Sequence, residues 1–244
     1  MLIRSFFLCF VLFISFLACQ SPKTETPKPS FTGHWICKNA YLAVMDSQSI
    51  NRSTLPPFEL VFRDGIDSVL YVNAFEMAVF PVKNIAQNQR SILGFIRDST
   101  SNFTLSDDGN LHLISGNGQI DFFKADSSLA EVFYKKWTTT LKNFYSESLL
   151  SGQYLEGDKL LKISPLGVIS GSKDYQRIEL ILGGDQADGS TDLAILSKTN
   201  GEQSKVAWRR VGNALRLSTA INASKPNEKP YWKAGERLVT FVEK

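Results

Sequence analysis

The chain has 244 residues, 43% of them hydrophobic, with 27 Lys and Arg against 24 Asp and Glu for a formal net charge of +3. That length supports one large or two small buried cores, while a charge so near balance, without a basic stripe, argues against a nucleic-acid partner. Three Cys and two His argue against a disulfide framework and a Cys-based metal site.

Residues 1–18 read as a secretory leader. Arg4 supplies a positive charge and Ser5 to Ala18 are almost wholly apolar. The run is too short for a comfortable membrane span, which needs about 20 residues. It ends in Phe16-Leu17-Ala18-Cys19, which resembles the lipobox of bacterial lipoproteins. The resemblance implies cleavage before Cys19, a lipid such as palmitate on its sulfur, and a second lipid on the new amino group. An ordinary signal peptide or an uncleaved anchor is the alternative. Gln20 follows the Cys where an Asp would imply retention in the inner membrane, so the resemblance points to the outer membrane, facing the periplasm or the cell surface.

Residues 19–30 hold Cys19 and QSPKTETPKPS, which has three Pro and no large apolar side chain and is expected to be an extended tether. In polyproline II form it would reach roughly 34 Å. With Cys9 in the leader and Cys19 lipidated, Cys37 is left unpaired, as a small buried hydrophobe.

From Phe31 the apolar period is two, through ELVFR, SVLYV, MAVFPV, LGFIR, NLHLIS and GQIDFF, with turn chemistry such as Arg63-Asp64-Gly65 and Asp107-Asp108-Gly109 between runs. This predicts an antiparallel β module over 31–125. Asn39 to Asn51 interrupts it, where Tyr41, Leu42 and Met45 recur at helical spacing. Over 126–147 the recurrence of Leu129, Phe133, Trp137, Leu141 and Tyr145, with SLAE as a capping box, predicts an amphipathic connecting helix. Alternation resumes in KLLKIS, RIELIL, TDLAIL, KVAWRR, ALRL and RLVTFV, a second β module over 148–244.

The halves share landmarks. Gly33-His34-Trp35 opens the first and Gly152-Gln153-Tyr154 the second, and the closing strands begin 85 and 83 residues later at Gly118 and Gly235. The fold class expected is therefore mainly β, two tandem antiparallel meander barrels or sandwiches joined by one helix and partly separable. The opening Gly-x-Trp strand, early helix and closing apolar strand with a basic residue resemble the lipocalin-like (calycin) small barrels. That resemblance implies that Trp35 closes a barrel floor under Lys124, and that Tyr154 and Arg237 do so in the second half. It further implies a ligand cavity, with Tyr41 and Met45 of the early helix over its mouth.

No G-x-S-x-G, phosphate-binding loop or dinucleotide fingerprint occurs, so no catalytic residue and no cofactor is expected. His34 and His112 lie in different strands, and Asp185, Asp188 and Asp192 miss the calcium-loop spacing, so no metal site is expected either. Three functions stay open: a lipid-anchored, non-catalytic protein binding a small apolar or amphipathic ligand, a structural lipoprotein docking an envelope protein, and a hydrolase of envelope polymers.

Overall fold

The computed structural model describes residues 29–244 apart from 54, 74–75, 97–98, 116–117, 135–136, 184–185, 188–191 and 229. The leader, Cys19 and the tether up to residue 28 lie outside the described residues, as do Asp185 and Asp188.

Both halves are eight-stranded antiparallel meanders. In the first, β1 (Gly33–Cys37), β2 (Phe58–Phe62), β3 (Ser68–Asn73), β4 (Met77–Ala86), β5 (Gln89–Ile96), β6 (Ser99–Leu105), β7 (Leu111–Ser115) and β8 (Gly118–Lys124) pair in sequence order. They close into a barrel through β1 and β8, with Trp35 opposite Lys124. Alternation sends Trp35, Leu60, Phe62, Val69, Ile92, Phe103, Leu111, Leu113 and Phe122 inward, where all are buried. An eight-stranded barrel has an interior that side chains can fill, and here rings fill it. Contacts run from Phe62 to Phe103 (6.4 Å), Phe95 (5.7 Å), Tyr71 (5.6 Å), Phe58 (5.7 Å) and Phe122 (5.6 Å) without a break.

In the second half, β11 (Gly152–Glu156), β12 (Lys159–Ile163), β13 (Ile169–Ser170), β14 (Tyr175–Ile181), β16 (Asp192–Lys198), β17 (Gln203–Val211), β18 (Ala214–Asn222) and β19 (Tyr231–Glu243) follow the same order. Strand β19 returns to β11. The last seam, between β13 and β14, carries one bridge, Val168 to Arg177, so this barrel is nearly closed. The short β15 (Gln186–Ala187) leaves the meander and pairs parallel with β19. Each opening strand carries the same anchor: Trp35 Nε1 donates to the Phe31 carbonyl at 2.6 Å, and Tyr154 Oη donates to the Leu150 carbonyl at 2.7 Å, both four residues upstream.

The connection departs from the expected helix over 126–147. A 3-10 turn at Ser127–Leu129, capped by Asp126, leads into a hairpin of β9 (Glu131–Tyr134) and β10 (Trp137–Thr139). Only Leu141–Leu149, α2, is α-helical. The reason is arithmetic. A repeat every fourth residue is even, so it satisfies the two-residue period of a strand as well as a helical stripe, and Trp137 and Thr139 are buried as alternate strand residues. The early helix, α1, spans Lys38–Ser47 and ends at Gln48, which is left-handed at φ 49°.

The halves are not separable in the way the landmarks suggested. One core fills barrel 1, while the other runs through barrel 2, the buried side of α2 (Leu141, Tyr145, Leu149) and the outer face of barrel 1 (Ile36, Val61, Leu70, Val72). Two buried carboxyl groups fasten this junction. Glu59, on the outer face of β2 and 0% exposed, accepts from Thr139 Oγ1 (2.5 Å), Thr140 Oγ1 (2.9 Å) and the Thr140 and Leu141 backbone N–H groups (3.1 and 3.2 Å), with His34 Nδ1 at 2.6 Å. It thereby caps α2 from another element, since Thr140 makes no side-chain cap bond. Asp192, at the start of β16, accepts from the Asn51 backbone N–H at 2.8 Å and ties the loop after α1 to barrel 2.

Removing the Glu59 carboxyl strands several donors in a dry site, so Glu59→Ala is expected to lower unfolding free energy by about 3–5 kcal/mol. Glu59→Gln, which keeps one acceptor, should cost less. Urea denaturation checks both, and an alanine variant within 1 kcal/mol of the parent, roughly the worth of an ordinary hydrogen bond, would refute the fastening role.

Asp192 has its pKa raised, first by burial and then against the opposing bonds from Asn51, Ser49 and Ile50. A raised native value favours the protonated carboxyl. Its contribution to stability is therefore fully present below the unfolded value of about 3.9 and declines as pH rises through the native value. Asp192→Asn should remove that part of the pH slope and be no less stable than the parent at neutral pH. Urea midpoints measured between acid and neutral pH test this, and a steeper slope in the variant would refute it.

Candidate functional site

Trp35 and Lys124 do come together. The Lys124 ammonium lies 5.4 Å from the Trp35 ring centroid and donates to the Ser30 carbonyl at 3.3 Å, and burial pushes its pKa down. Gly33 makes room for it, because a Cβ there would sit 2.6 Å from Lys124 Cε. The pair packs at the β1–β8 seam, with the cation already engaged.

In the second half the cation over Tyr154 is Arg210, not Arg237. Its guanidinium carbon lies 5.9 Å from the ring centroid, Nη2 donates to Tyr154 Oη at 2.7 Å, Nε to the Leu149 carbonyl at 2.8 Å and Nη1 to Glu243 at 2.9 Å. Arg210 sits on β17, so the reach comes from across the barrel rather than from the last strand. Arg237 instead stands opposite Ser218 on β18 and is exposed.

Tyr41 and Met45 do not cover a mouth. Tyr41 makes edge contacts with Phe123 and Phe144, both at 5.4 Å, and Met45 packs on the same shared core. The α1 residue that enters the core of barrel 1 is Ala40, and Leu42 is exposed. The helix therefore faces the junction.

Two histidine–carboxylate pairs exist that sequence spacing could not reveal. His34 and Glu59 are 6% and 0% exposed, and the carboxyl is consumed by the α2 cap, so no substrate reaches this pair. The second set sits on the outer face of barrel 1: His112 Nδ1 is 2.8 Å from Asp121 Oδ1, and its Nε2 is 3.2 Å from Ser106 Oγ. Composition and order match a nucleophilic triad, and a cavity of about 310 Å³ lies against Ser106. The hydroxyl, however, is also bonded to the Asn110 carbonyl at 2.9 Å and to Asp108. The neighbouring N–H of Gly109 is given to the Ser106 carbonyl at 3.0 Å, and that of Asn110 faces Asp108 at 3.4 Å. Two backbone donors of the same turn that could face an oxyanion are thus occupied, and the serine hydroxyl is shared among three partners. The Ser106 and Asn110 bonds hold the Asp108 pKa down, and the Gln119 amide, followed by His112, does the same for Asp121. The set locks the turn at residues 106–110.

The largest cavity described, about 550 Å³, lies between the halves. Val72 and Met77 of barrel 1, Leu141 of α2, and Leu180 and Leu182 at the end of β14 form its apolar wall. Lys142 stands at its edge between Glu131 (3.2 Å) and Glu179 (3.3 Å), which gives the cleft a charged, already neutralised rim. Among the described residues no three His, Cys, Asp or Glu are grouped so as to hold a metal ion, and Asp192 is turned into the protein by its bond to Asn51. Comparison with known protein families, with curated proteins and with solved structures finds no match.

Proposed function

We propose that this is a lipid-anchored, non-catalytic protein of the bacterial cell envelope, held at the outer membrane through Cys19, which binds a small amphipathic ligand outside its barrels. The observation that carries the reading is the unbroken run of ring contacts through barrel 1. Rings packed through barrel 1 support a site outside its lumen, and the cleft between the halves has both an apolar wall and a polar rim, as a small-molecule site requires.

A second reading is favoured by Val79, two residues along β4 from Met77, and by Leu93 on β5, which are 52% and 58% exposed. Exposed apolar residues on this face also suit a docked envelope protein.

Anchoring depends on one sulfur in this proposal. Cys19→Ala should move the protein from the membrane to the soluble fraction and abolish incorporation of labelled fatty acid. Retention of the label by the variant would refute the lipoprotein reading.

An apolar fluorescent probe should bind the parent near one-to-one, and Met77→Asp should weaken it at least about tenfold with little change in melting temperature, since Met77 is already half in water. Phe95→Ala, which removes rings packed on Tyr71, Phe80 and Phe103, should do the reverse: a lower melting temperature with probe binding intact. Loss of binding in Phe95→Ala alone would return the site to the lumen. Absence of binding in the parent would favour the docked protein.

A further inference from the structure

Barrel 2 carries on β17, β18 and β19 a basin of about 330 Å³ that the cleft reading does not use. Its walls are Arg209, Arg216 and Arg237, and its floor is made of small residues, Ala207, Ser218 and Gly235. Arg209 and Arg216 are direct cross-strand partners, and Arg237 is opposite Ser218, two residues along β18 from Arg216, on the neighbouring β18–β19 ladder. Like charges facing each other across a strand pair are destabilising.

Four other cations of this half or its connecting helix have carboxylate partners. Lys142 has Glu131 and Glu179, Arg177 has Glu179, Lys198 has Glu202, and Arg210 has Glu243. Among the described residues no carboxylate is paired with Arg209, Arg216 or Arg237. The Arg216 Nε is buried without an acceptor, and so is the hydroxyl of Thr240, the residue opposite Arg216 on β19. An unmet buried donor is destabilising, and a bound acceptor relieves it.

We propose that this basin binds a phosphoryl group. Three guanidinium groups supply planar, paired donors suited to its oxygens. They also balance a dianion, where a monocarboxylate would leave two of the three charges facing each other unrelieved. The source is either a soluble phosphate compound or a phosphomonoester headgroup in a lipid surface.

The test uses the full-length chain with Cys19→Ala, so that no acyl anchor contributes. Inorganic phosphate at a hundred times its dissociation constant should raise the melting temperature by about 5–10 °C relative to sodium chloride of equal ionic strength. Arg216→Gln should weaken that response at least about tenfold, the loss expected for one charge-assisted bond. Arg209→Gln guards against a misfolded variant: it is exposed and its removal relieves the cross-strand repulsion, so it should melt no lower than the parent yet also respond less to phosphate. An equal rise in chloride, or an undiminished rise in both variants, overturns the proposal. Sedimentation with phosphatidylcholine vesicles containing phosphatidic acid, reversed by phosphate and absent without phosphatidic acid, assigns the headgroup. Phosphate stabilisation without sedimentation assigns a soluble compound, and neither response overturns the site.

Discussion

The carboxyl group of Glu59 is the constraint on which the arrangement of the two halves depends. It projects from the outside of barrel 1 and yet has no exposure, so its oxygens require protein donors. Thr139, Thr140 and the backbone N–H of Leu141 supply them, and these are the last residue of β10, the cap position of α2 and its first residue. Meeting that demand positions the start of α2 against barrel 1. The buried side of the same helix, Leu141, Tyr145 and Leu149, belongs to the core of barrel 2. One polar group on the first barrel therefore sets where the second core begins. Asp192 repeats the device in the opposite sense, with a carboxyl from barrel 2 holding a loop of the first half.

Much of the fold was legible because each strand must bury one face. The alternation in ELVFR or TDLAIL carries that information locally, and the paired Gly-x-aromatic openings mark where each meander begins. The connecting segment misled for the opposite reason: its even spacing fits two periodicities, and the choice between them rests on what Trp137 and Thr139 pack against, which no local pattern records. The same limit applies to Glu59. In ELVFR it occupies an outward position that reads as solvated, and only the second half of the chain makes that face interior.

Site residues divide along the same line. Trp35 with Lys124 was accessible because the two are strand partners at the seam that closes the barrel. Tyr154 with Arg210 was not, since the partners come from β11 and β17 and meet across the barrel. Lys124 and Arg210 satisfy local chemistry that their sequence neighbours do not announce. Whether the interior is hollow also escapes the sequence, because a run of Phe and Tyr is equally suited to line a cavity or to fill one. Ring-to-ring contacts decide it.

The two anchors also show how corresponding positions of the two barrels meet different chemical constraints. An indole has a donor and no acceptor. With Trp35 Nε1 committed to the Phe31 carbonyl, a cation beside it can use only the ring face, and its own donors must find another oxygen. Lys124 does this, over the face and bonded to Ser30. A phenol hydroxyl both donates and accepts, so Tyr154 gives its proton to Leu150 and still receives Arg210 in a direct bond. That leaves the rest of the planar guanidinium to reach Leu149 and Glu243, a spread that a lysine could not match. Each cation therefore fits the ring it accompanies: Tyr154→Trp would leave an Arg210 N–H without its acceptor, and Arg210→Lys would leave the Leu149 carbonyl or Glu243 without a donor.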